Sequence, residues 1–121
     1  MAEGLARAAY GVEIHFESAG LRVAETDGFA MAVMMEKGVN ITRHMPRSLE
    51  ELEKLDFDLV VALSAEAQRK AEEFFRSRAI PVEFWPTADA TRIEAARAQK
   101  LDAYRAVREY LAQRLSERFG G

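Results

Sequence analysis

Few side chains in this sequence are of types that do acid–base or covalent chemistry. Two are histidines, His15 in VEIHFE and His44 in VNITRHMPRS, and a third is Asp89 in PTADAT. The 121 residues contain no cysteine, which excludes disulfides, thiolate metal sites and any mechanism through a cysteine nucleophile. The two histidines stand apart with no carboxylate pattern beside them, so neither a metal nor another cofactor is expected. His15 should point to solvent from the polar side of a strand. His44 sits in a loop, where it either satisfies a backbone carbonyl or supports a site. Asp89 precedes Ala-Thr in a proline-containing loop, where an aspartate commonly turns or caps the chain.

The elements that must position these residues follow from periodicity. MAEGLARAAYG keeps helical spacing at Met1, Leu5, Ala8, Ala9 and Val12, yet no Ser, Thr, Asp or Asn precedes it as a cap. VEIHFE alternates Val12, Ile14 and Phe16 with polar residues, the pattern of a half-buried strand that Ser18-Ala19-Gly20 ends. Thr26 or Asp27 can cap a helix running to about Lys37, with Phe29, Ala30, Val33 and Met34 on its apolar face. Gly38 stands where a left-handed terminal residue belongs.

Residues 39–48 read as a loop. Ser48 and Glu51 have capping-box spacing and open a short helix, SLEELEKL, whose glutamates form a solvated face. The run Leu59–Leu63 is continuously apolar, as in a strand covered on both faces. Ser64 caps a helix to about Arg78, PVEFW forms a strand at 81–85 with Trp85 anchoring its end, and PTADAT breaks the pattern. The last helix starts at Glu94 or Gln99 and ends at Phe119, with Leu101, Tyr104, Val107, Leu111 and Leu115 on one stripe. Arg92, Arg97, Lys100, Arg105 and Arg108, before and along this helix, interleave with acids, predicting exposed ion pairs. Met31, Met34, Met35 and Met45 read as core filler and loop packing.

Helices alternating with strands predict parallel pairing in a three-layer α/β sandwich, one domain spanning residues 1–121. Lysine and arginine number 17 against 20 acidic residues, net charge −3, without the basic excess of a nucleic-acid binder. No apolar run approaches the ~20 residues that span a bilayer, and no signal-peptide pattern opens the chain, so the cytoplasm is the expected location.

The order of SAG after VEIHFE, GVNITRH after a helix and FDLVVALS as a strand resembles the low-molecular-weight protein tyrosine phosphatases and their related arsenate reductases, from Met1 to about Leu115. In that family a first strand runs into a phosphate-binding loop of pattern Cys, five residues, Arg, Ser or Thr, and Met-Ala-Glu opens the first helix. Met1-Ala2-Glu3 is similar to that opening, so the resemblance implies that the strand and the loop would precede Met1. The implied substrates are a phosphorylated protein or a small phosphate ester, provided that a complete loop exists. The resemblance places Asp89 at the acid that protonates the leaving oxygen, and Ser18 and His44 at positions that brace the phosphate loop. Ala90 stands where the family has a proline after the acid, and the aromatic residue usual just beyond is not seen. An acid without a nucleophile has nothing to protonate, so the chain as written is expected to be inactive, with a non-catalytic binding or oligomerising module as the alternative.

A central first strand buries about four large side chains, roughly 6–12 kcal/mol at roughly 1.5–3 kcal/mol each, against a typical domain stability of about 5–15 kcal/mol. Its place is expected to be filled by upstream residues, by direct pairing of VEIHFE with DLVVALS, or by a homodimer joined through the opened sheet.

Overall fold

The computed structural model describes residues 1–20, 27–41, 47–48, 52, 57–76, 79–92 and 95–120. In chain order they form helix α1 (Ala2–Tyr10), helix α2 (Gly28–Met35), strand β1 (Val60–Ala62), helix α3 (Ala65–Phe74), strand β2 (Val82–Phe84), a 3-10 turn (Ala90–Arg92) and helix α4 (Arg97–Phe119). The expected α/β class with parallel strand pairing holds. The chain groups into two units, Met1–Ser18 with Ala24–Pro46 and Ala88–Gly121, and Ala19–Val23 with Arg47–Thr87.

The first unit is built around α4. Of its predicted stripe Tyr104, Val107, Leu111 and Leu115 are buried, while Leu101 at the helix start is half-buried, and both α1 and α2 pack on this helix. Asp27 caps α2 by accepting the Phe29 N–H at 2.8 Å, leaving Ala30, Val33 and Met34 in the core. The helix ends in a paired closure. Val39 N–H reaches back to Met34 O at 3.0 Å and Gly38 N–H to Met35 O at 2.9 Å, with Gly38 at φ +72°. That left-handed backbone suits glycine because it carries no Cβ. Met35, read as filler, is exposed on the far side of α2. Gly4 of α1 faces Ile41 and Met34 so closely that a Cβ would lie 2.7 Å from the Ile41 Cγ2.

Two expectations fail in this unit. The buried residue of α1 is Ala6, whereas Ala8 and Ala9 are exposed and Val12, beyond the helix, is fully exposed. Alanine spacing misled here because a methyl group tolerates either face, and the large side chain that orients α1 is Tyr10, packed on the Phe119 ring at 6.0 Å.

VEIHFE is not a strand. The N–H groups of Glu13 and Ile14 turn back to Tyr10 O at 3.3 and 3.1 Å, and Arg7 donates two bonds to Phe16 O at 3.2 and 2.8 Å. Alternation makes a strand only where a neighbour takes the backbone bonds; here a turn and an arginine take them. Phe16 instead meets Phe119 edge-on at 5.8 Å. Direct pairing of VEIHFE in a sheet is therefore not made.

The second unit holds β1, α3 and β2, with α3 packed on both strands. Val60, Val61 and Ala62 pair in parallel with Val82, Glu83 and Phe84. The ladder is extended by Val60 N–H to Pro81 O at 3.0 Å, Trp85 N–H to Ala62 O at 2.8 Å and Thr87 N–H to Leu63 O at 3.1 Å. Val60 and Val61 are half-buried, short of the double coverage that their apolar run predicts. Ser64 caps α3 by accepting the Ala67 N–H at 3.1 Å, and Phe75 closes the helix in the core against Phe57 and Phe74. Trp85 is buried at the end of β2 as expected, its indole N–H donating to Glu83 at 3.3 Å. Gly20 and Ser48 form an isolated parallel bridge. Apart from Ser48 and the buried Leu52, the helix read from SLEELEKL lies outside the described residues, as do His44 and Met45.

Candidate functional site

Asp89 begins the 3-10 turn, and its own side chain builds that turn. One carboxylate oxygen accepts the Thr91 N–H at 3.0 Å and the Thr91 hydroxyl, while the other lies 3.1 Å from Arg92 Nε. Behind it Ala90 is buried, which anchors the loop. The Thr91 hydroxyl holds the Asp89 carboxyl below its ordinary range; slight burial opposes this, and the Thr91 N–H and Arg92 charge add to it. An exposed carboxylate with these donors is anionic near neutral pH. It is set up to accept its neighbours' hydrogen bonds, and it would carry a proton to release only at low pH.

Ser18 is half-buried and belongs to the same unit, and no hydrogen bond or ion pair joins it to Asp89. His44 is outside the described residues. His15 is exposed and sits 2.8 Å from Glu17, a carboxylate neighbour that its separation by a single residue could have suggested. Among the described residues, no three His, Cys, Asp or Glu side chains converge as metal ligands would.

Near the start of α2 lies an arrangement that the sequence reading did not single out. Asp27, already the cap of α2, accepts a second bond from the buried Tyr104 hydroxyl, and Tyr104 stacks on Phe29 at 5.6 Å. Burial pushes the Tyr104 phenol well above its ordinary range, and the negative charges of Asp27 and Asp89 push it further. Arg97 and Lys100, on the first turns of α4, lie over the Phe29 ring at 5.8 and 5.0 Å. The signal was present: a tyrosine on an otherwise apolar stripe needs a partner for its hydroxyl.

At the other end of α2, Glu36 joins two arginines of α4. Arg105 contacts both Glu36 oxygens at 2.6–3.1 Å and Asp102 at 2.8 Å, while Arg108 reaches Glu36 at 2.8 Å. The Arg105 and Arg108 bonds hold the Glu36 carboxyl at about 2. Arg105 behaves as the exposed pair expected of it. Arg108 does not: it is buried and also donates to the Val33 carbonyl at 2.7 Å. Burial disfavours its charge, but Glu36 and Glu109 outweigh this and raise its pKa. An arginine on the edge of an apolar stripe can bury its stem when carbonyl and carboxylate acceptors await its head.

A sequence model of the family described as low molecular weight phosphotyrosine protein phosphatase matches residues 1–118. Among solved structures, an arsenate reductase in its oxidized state is similar at 25% identity and TM-score 0.79, over 96% of this chain and 82% of that one. An arsenate reductase in the phosphate binding state matches over the same shares at 25% identity and TM-score 0.75. The Erwinia amylovora tyrosine phosphatase AmsI shares the fold at 24% identity and TM-score 0.76, over 96% of this chain and 79% of its own. No curated protein matches the sequence.

Proposed function

The chain belongs to the low molecular weight phosphotyrosine protein phosphatase family, and from that premise we propose that its 121 residues do not themselves hydrolyse phosphate monoesters. One observation carries this reading: the sequence contains no cysteine, and the chemistry that the family resemblance implies begins with a thiolate attacking phosphorus. The state of Asp89 supports it. Asp89, which the resemblance places at the leaving-group acid, has a carboxyl that Thr91 and Arg92 hold below its ordinary range. Ser18, Asp89 and His44 are then accessory positions, and their substrate class, a phosphorylated protein or small phosphate ester, applies where a complete phosphate loop accompanies them.

The test is incubation of the 121-residue chain with p-nitrophenyl phosphate. The expected result is no release of p-nitrophenol above the buffer rate. Turnover that inorganic phosphate inhibits and that Asp89→Asn abolishes would overturn the proposal.

A second reading, a binding or self-associating module on the same scaffold, is favoured by the sheet. Among the described residues it has two strands, and a two-stranded sheet leaves edges open to a further strand. Sedimentation equilibrium tests the self-associating form of this reading: a mass twice the 13.6 kDa of the chain supports it, and a monomer at all concentrations removes it.

A further inference from the structure

We draw no further inference here: the strongest candidate, the shallow depression at the start of α2 lined by Asp27, Gly28, Phe29, Ala32 and Arg97, is a helix N-terminus whose neighbouring cations Arg97 and Lys100 already serve as the cover of the Phe29 ring, and nothing in the structure points to a ligand there.

Discussion

The Tyr104 hydroxyl donates to one carboxylate oxygen of Asp27 while the other oxygen caps α2 through the Phe29 N–H. One side chain therefore ends a helix and ties it to α4, with the Phe29 and Tyr104 rings stacked beside the bond. Tyr104→Phe keeps the ring and removes the hydroxyl. A hydrogen bond to a charged group contributes about 1.5–3 kcal/mol, and urea unfolding should lose stability in that range. Because the two residues share one bond, Asp27→Asn combined with Tyr104→Phe should cost less than the sum of the single variants. Strict additivity would show that the bond contributes nothing.

Arg108 and Arg105 share Glu36 but differ in burial. Arg108→Met fills similar volume and leaves the Val33 carbonyl without that donor, so a loss of about 2–3 kcal/mol is expected. Arg105→Met, at a solvated pair, should cost much less. Thermal unfolding of the two variants side by side decides this, and equal losses would contradict the distinction.

Glu36 makes stability depend on acid. Its carboxyl, near 4.5 in the unfolded chain, is held at about 2 in the folded protein, so the unfolded state binds the proton first as pH falls. The contribution of Glu36 is fully present above about pH 5, declines below it, and is gone once pH drops through about 2. Denaturation midpoints measured between pH 6 and pH 2.5 should fall with acid, and Glu36→Gln should flatten part of that fall. A variant with the same slope as the parent would exclude Glu36 as its source.

The Thr91 hydroxyl is the main cause that holds the Asp89 carboxyl below its ordinary range. In an NMR titration of its carboxyl carbon, the midpoint should lie below that of an ordinary aspartate, and Thr91→Val should move it upward. Arg92→Gln should move it in the same direction by less. An unchanged midpoint in Thr91→Val would mean that the hydroxyl is not what holds the proton off.

The sequence by itself determined the features whose partners lie within a few residues. Asp27 and Ser64 cap their helices through N–H groups two and three positions away, and Gly38 closes α2 through carbonyls just behind it. Most of the α4 stripe was legible because burial periodicity is written along the segment, and the parallel pairing of β1 with β2 because a helix lies between the two strands. The α1 face was not, since alanines give no direction and Tyr10 is oriented by Phe119. VEIHFE has the alternation of a strand, yet a strand exists only through a neighbour, and its backbone found Tyr10 and Arg7 instead. The second bond of Asp27 and the burial of Arg108 were settled by partners 77 and 75 positions away. Tertiary structure alone decided them, because only packing sets which distant donor meets a buried acceptor.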